Sequence, residues 1–196
     1  RAASAAMVVI SKVSGNRSRS RCGPEEGFYQ SESRSPKVSV GRGGGLSLRI
    51  FEHTCETWLA RPRAEVFGFF ADAGNLERLT PPWLGFEILT PRPIPMRVGA
   101  LIDYRLRVHH VPLRWRTEIT AWEPPLRFVD EQRRGPYRLW HHTHTFTEQD
   151  GGTLVHDRVR YAVLGGVLVQ KLIVERDVRT IFAYREKVLR ELFPAV

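Results

Sequence analysis

His142 and His144 stand two residues apart in a run from Tyr137 to Thr147 that alternates as a β-strand does, so they share one face with Trp140 and Phe146. A face that mixes large rings with two imidazoles suits the wall of a ligand pocket, since a buried imidazole needs a hydrogen-bond partner. If Asp150-Gly151 centres a hairpin, facing positions pair Phe146 with Val155, Trp140 with Tyr161 and His144 with Asp157. A carboxylate opposite an imidazole raises its pKa and sets its tautomer, the arrangement that general acid–base chemistry requires. A buried pair of this kind also forms simply to satisfy its own polar atoms. His142 and His144 could in principle bind zinc or iron with Asp157 as a third ligand, but the short His-x-His motif has no distinctive downstream ligand pattern. The expectation is a metal-free pocket, with no cofactor.

These residues need a sheet to position them. Phe51 to Leu59 has β-strand character, Ala64 to Ala71 carries apolar residues at helical spacing, and a second short helix ends at Pro81-Pro82. Strands are then expected at about Phe86–Leu89, Ala100–Val108, Leu113–Ala121, Arg127–Arg133, Tyr137–Thr147 and Thr153–Val163. Val167 to Phe193 forms a long helix with an apolar stripe of Val174, Val178, Ile181, Phe182, Leu189 and Leu192. The order β-α-α-β-β-β-β-β-β-α predicts an α+β domain. With His109-His110-Val111-Pro112 as a hairpin loop, Tyr104 faces Thr117, Leu106 faces Trp115 and Val108 faces Leu113. The opposite face then sets Arg105 against Arg116 and Arg107 against Arg114, a basic surface that a membrane or an acidic partner could use. His53, His141 and His156 are expected to face outward or lie at the sheet edge.

Composition divides the chain near residue 48. Ten serines precede that point and none follows it, and residues 1–48 hold eight Lys/Arg against three Glu. Rich in Ser, Arg and Gly, this segment reads as a disordered or low-complexity tail, followed by one domain over 49–196. Its acid-free start, Arg1 to Pro24, has the Arg- and Ser-rich composition of a transit peptide, but is read as a fragment boundary or translated upstream sequence because the chain begins without Met. Cys22 and Cys55 fall in different regions and match no disulfide framework or Cys-x-x-Cys spacing, which favours a reducing, cytoplasmic location. No stretch approaches the ~20 apolar residues of a membrane-spanning helix. A domain without serine has no serine nucleophile, and no Gly-x-x-x-x-Gly-Lys phosphate loop is present. Neither nucleotide chemistry nor a nucleic-acid partner is expected.

The element order, Pro62-Arg63-Ala64-Glu65-Val66-Phe67 after the first strand, Pro124-Pro125-Leu126-Arg127-Phe128 before the fifth, and Gly135-Pro136-Tyr137 leading into the His142-x-His144 strand resemble the START-like superfamily called SRPBCC. The likeness spans roughly 50–195 and is nearest to the polyketide cyclase/dehydrase-like and coenzyme Q-binding-like members. It implies a helix-grip fold, in which a curved antiparallel sheet of about seven strands wraps a long C-terminal helix, with two short helices after the first strand, and encloses an apolar cavity. Two functions follow as expectations. The first is binding of a small hydrophobic or aromatic molecule, lipid-, quinone- or polyketide-like, lined by Tyr104, Leu106, Trp115, Phe128, Trp140, His142, His144, Phe146 and Tyr161. The second is a cyclase or dehydratase in which His144, held by Asp157, moves a proton. Without an unambiguous catalytic constellation, binding is preferred to turnover.

Overall fold

The computed structural model describes residues 20–23, 49–164 and 166–194. Among them, eight antiparallel strands form one sheet in the order β1-β2-β8-β7-β6-β5-β4-β3. The strands are β1 (Ser20–Gly23), β2 (Phe51–Leu59), β3 (Glu87–Ile88), β4 (Leu101–Val108), β5 (Val111–Glu123), β6 (Arg127–Arg134), β7 (Leu139–Gln149) and β8 (Gly152–Ala162). Between β2 and β3 lie α1 (Arg63–Ala71), α2 (Leu76–Leu79) and two 3-10 turns. The C-terminal helix is continuous but not uniform: α3 (Gly166–Val169) passes through a π-helical turn at Gln170–Val174 into α4 (Glu175–Leu192). Seven strands, the two short helices and the long helix match the expected helix-grip order.

The sheet packs on α4 through the apolar faces of its central strands. On α4, Val178 and Phe182 pack with Cys55, Val159 and Tyr161, while Leu189 joins Leu59, Val66, Phe67, Phe146 and Val155. These two clusters anchor the helix at its middle and its C-terminal end. A third cluster, around Ile102, Tyr104 and Leu106, lies on the same concave face at the β3–β4 end of the sheet. Between them the helix and the sheet stand apart.

The β7–β8 hairpin has the expected register, with His144 opposite Asp157 and Trp140 opposite Tyr161. Its turn is two residues, Asp150 and Gly151, both at positive φ (50° and 74°), as a tight hairpin matching strand twist demands. The β4–β5 hairpin corrects the expected register by two residues: Tyr104 faces Trp115 and Leu106 faces Leu113. The loop is only His109-His110, each at positive φ (48° and 68°), and Val111 and Pro112 already belong to β5. A slip of two preserves which face each side chain occupies. It does change the arginine surface. Arg116 makes two 2.8 Å hydrogen bonds to Asp103, Arg105 pairs with Glu87, and Arg107 stands opposite Pro112. Between these two strands only Arg105 and Arg114 face each other directly, and Arg116 stands opposite Arg134 of β6.

The N-terminal segment adds a strand that its composition does not suggest. β1 lines up along β2 with Cys22 opposite Cys55. Cys55 is disulfide-bonded, and Cys22 is the chain's only other cysteine. The cysteine ground for a reducing compartment is thereby removed, since disulfides persist in oxidising surroundings. Otherwise the tail reading falls on residues outside those described. Among the described residues no helix is long and apolar enough to cross a membrane.

Candidate functional site

The gap between α4 and the concave sheet is a cavity of about 380 Å³. Of the nine expected lining residues it brings seven together: Tyr104, Leu106, Trp115, Phe128, Trp140, His142 and His144. Phe146 and Tyr161 lie on the same sheet face but not on the wall. α1 closes over Phe146, whose ring contacts Phe67 and Phe70 at centroid distances of 5.2 and 5.1 Å. Tyr161 is covered by Val178 and Phe182, and its hydroxyl accepts a 3.3 Å hydrogen bond from Gln170 Nε2. Aromatic rings dominate the rest of the wall, with Trp115 edge-on to Trp140 at 5.4 Å and Phe128 stacked on His144 at 4.1 Å.

Polar groups gather at two places. Near the middle of β4 and β5, Thr117 Oγ1 accepts from Trp115 Nε1 at 3.0 Å and is hydrogen-bonded to the Tyr104 hydroxyl. Burial pushes the Tyr104 phenol pKa far up, so it stays neutral. The larger group is Asp130, His142, His144, Asp157 and Arg185, drawn from β6, β7, β8 and α4. Neighbouring strands deliver the first four because Asp130 stands opposite His142 and Asp157 stands opposite His144 in the ladder. Arg185 follows Phe182 by three and precedes Leu189 by four, which keeps it on the buried stripe of α4.

Asp157 Oδ1 lies 3.1 Å from His142 Nε2 and 2.7 Å from His144 Nδ1. Asp130 Oδ2 lies 2.9 Å from His144 Nε2 and 3.4 Å from His142 Nδ1. Arg185 Nε sits 3.6 Å from Asp157 Oδ2, its guanidinium 5.0 Å from the Phe70 ring centroid. That Nε is buried without a hydrogen-bond partner. Asp157 is 2% exposed and lies behind the wall; Asp130, His142, His144 and Arg185 line the cavity.

Electrostatics separate the two histidines. Burial pushes His142 down to about 4, reinforced by the neighbouring His144, against the pull of Asp130 and Asp157. Burial works on His144 in the same sense, but Asp157 and Asp130 outweigh it and hold its pKa above the ordinary value. Burial opposes ionisation of Asp157 too, and Arg185 with His144 and His142 overcomes it, leaving the carboxyl well below its usual range. Burial thus keeps His142 neutral at neutral pH, while the two carboxylates favour the charged form of His144. His144 can donate a proton to a bound molecule or take one from it.

Asp130, Arg185 and Phe70 escaped the sequence. Asp130 sits in the polar run Arg127-Phe128-Val129-Asp130-Glu131, where only its alternation with Phe128 marks it as inward. Arg185 could have been found from the 178–182–185–189 spacing, on which it falls with Val178, Phe182 and Leu189. His53, expected outside, is also buried; it alternates with Cys55, Thr57 and Leu59, all inward.

Comparison with known proteins agrees with this architecture. No curated protein matches the chain. Protein Ms6760 from Mycobacterium smegmatis superposes with a TM-score of 0.55 at 19% identity, covering 72% of this chain and 89% of its own. Protein CV1439 from Chromobacterium violaceum gives 0.57 at 16% identity, covering 74% and 99%. Ginseng major latex-like protein 151 from Panax ginseng gives 0.56 at 10% identity, covering 74% and 99%. At these identities the likeness establishes the helix-grip fold alone. Residues 59–182 match the family described as polyketide cyclase / dehydrase and lipid transport. With that match over most of the domain and the fold to go with it, the chain belongs to this family of the START-like SRPBCC superfamily.

Proposed function

We propose that the chain binds a small hydrophobic or aromatic molecule, lipid-, quinone- or polyketide-like, with its ring or chain against Leu106, Trp115, Phe128 and Trp140 and one oxygen at the Arg185–His144 end. The observation that carries this proposal is the cavity itself: about 380 Å³, walled by rings, with its charged groups collected at one place. Ligand sites span roughly 300–1,000 Å³ and combine apolar walls with a few placed polar groups. The unpartnered Arg185 Nε supplies a donor that a ligand oxygen would satisfy.

The test is fluorescence titration with 1-anilinonaphthalene-8-sulfonate, an apolar probe bearing an anionic group. Trp115→Ala and Trp140→Ala should each weaken binding about tenfold, while Arg107→Ala on the outer face should leave it unchanged. Equal weakening by all three would place the probe on the surface and end the proposal. A second reading, acid–base turnover of a polyketide-like substrate as in a cyclase or dehydratase, is favoured by one observation: His144 lines the cavity between two carboxylates. Incubation with an aromatic polyketide intermediate followed by mass spectrometry separates the two, because a carrier returns it unchanged.

A further inference from the structure

We propose that Asp130, His142 and His144 bind one divalent transition-metal ion, zinc or iron(II), whose remaining coordination positions open into the cavity. Each residue turns one ligand atom towards the same place. Asp130 Oδ2 is 3.4 Å from His142 Nδ1 and 2.9 Å from His144 Nε2, and the three ligand atoms lie within 4.8 Å of one another. Metal bonds of ~2.0–2.1 Å set neighbouring ligands ~2.9 Å apart at right angles and ~3.4 Å apart in a tetrahedron. The two Asp130 separations have these lengths, whereas the 4.8 Å within which the whole set lies exceeds the ~4.1 Å that two such bonds can span, so the ion would draw the two histidines together.

The stronger support is the residue behind the three. Asp157 contacts the opposite nitrogen of each ring, His142 Nε2 at 3.1 Å and His144 Nδ1 at 2.7 Å. With each ring's N–H turned to this carboxylate, as the His142 Nε2 hydrogen bond and the His144 Nδ1 contact allow, His142 Nδ1 and His144 Nε2, the two atoms facing Asp130, keep lone pairs for a metal, although Arg185 Nη2 also stands 3.4 Å from His144 Nδ1. Histidines that hold metals almost always give their other N–H to such a partner, which fixes the tautomer and raises ligand basicity. Here one carboxylate orients both rings, and Arg185 at 3.6 Å stands against its charge. The ion would take the place of the proton that His144 Nε2 shares with Asp130.

Two imidazoles and a carboxylate form the donor set of zinc and non-haem iron sites that keep open positions for water or substrate. Asp130, His142 and His144 all line the cavity, whereas Asp157 does not, so the open side faces whatever enters. The sequence offers Asp157 as the third ligand of a metal reading that it ranks below a metal-free pocket. The β6–β7 register instead brings Asp130 into that role and moves Asp157 to the layer behind.

The site is testable with the metal alone, independently of any organic ligand. The full chain, purified without a histidine tag and stripped with EDTA, is titrated with Co²⁺ by visible absorption and with Zn²⁺ by calorimetry. One ion per chain is expected, with Co²⁺ bands of a four- or five-coordinate nitrogen–oxygen site that Zn²⁺ abolishes. Asp130→Asn and His144→Gln should each lower affinity at least 100-fold, and Asp157→Asn by 10–100-fold. His141→Gln, on the other face of β7, should not change it. Failure of the wild-type chain to take up either ion overturns the proposal, as does unchanged affinity in Asp130→Asn and His144→Gln. Circular dichroism and thermal melts of each variant confirm folding, and the wild-type stoichiometry and Co²⁺ spectrum decide the matter if a variant unfolds.

Discussion

His144 Nδ1 and Asp157 Oδ1 are 2.7 Å apart across the β7–β8 ladder, where their backbones form a facing pair. With Arg185 also at this carboxylate, Asp157 is the counter-charge for a buried guanidinium and favours the charged form of His144. Removing one partner of a buried ion pair strands the other and costs about 3–5 kcal/mol. Asp157→Asn keeps the shape and removes the charge, so a loss of about 3 kcal/mol is expected in urea unfolding of the metal-free protein at pH 7. Adding Arg185→Met should restore part of it, because the stranded guanidinium is then gone. A single variant within 1 kcal/mol of wild type, or a double variant less stable than either single, would contradict this account.

The cavity makes a different prediction from the core around it. Leu106 is buried, yet its side chain forms part of the wall, so extra volume at this position has empty space to enter. Leu106→Trp should reduce affinity for an apolar probe tenfold or more while the melting temperature stays within a few degrees. Overpacking a filled core costs about 1–3 kcal/mol, so a large drop in melting temperature would mean that the space is already occupied by protein atoms.

How much of this was legible follows from turn chemistry and from facing. The β7–β8 register could be read because Asp150-Gly151 is a standard tight-turn pair and both flanking strands alternate strongly. The β4–β5 register could not, because two histidines in left-handed conformation carry no such signal and Pro112 draws the loop two residues too far. Since the slip is even, Tyr104, Leu106 and Trp115 still landed on the cavity side. Asp130 and Arg185 were hidden for another reason: a charged residue within a polar strand or on an amphipathic helix looks solvated until the strands that neutralise it are in place. β1 depends on pairing with a strand more than 25 residues away, about which local composition is silent.

Thr117 holds two wall residues through a single hydroxyl, bonded to Tyr104 and accepting from Trp115 Nε1 at 3.0 Å. Thr117→Val is nearly isosteric and leaves both partners buried without it. A buried polar group deprived of its partner costs about 1–3 kcal/mol, so the variant should lose about 2 kcal/mol in urea unfolding. Tyr104→Phe removes one partner as well as one bond and should lose less. If both variants match wild type, solvent in the cavity already satisfies these groups.

His53 predicts how the fold responds to acid. It is 3% exposed, its ring lies 4.8 Å from that of Phe182, and its Nε2 has no hydrogen-bond partner. Burial lowers its pKa below the ordinary 6.5, Arg179 adds to that, and Asp157 and Glu175 pull the other way without reversing it. With the folded pKa below the unfolded one, the unfolded chain takes up the proton first as pH falls. The stability from keeping His53 neutral is therefore complete above about pH 6.5 and declines below it, down to the folded pKa. His53→Leu removes this proton uptake and fills the site with an apolar side chain. Its urea midpoint should fall less than that of wild type between pH 7.5 and pH 5.5, and the difference isolates His53 because the remaining titrating groups are common to both chains. Parallel pH profiles would mean that His53 reaches solvent and titrates as an ordinary histidine.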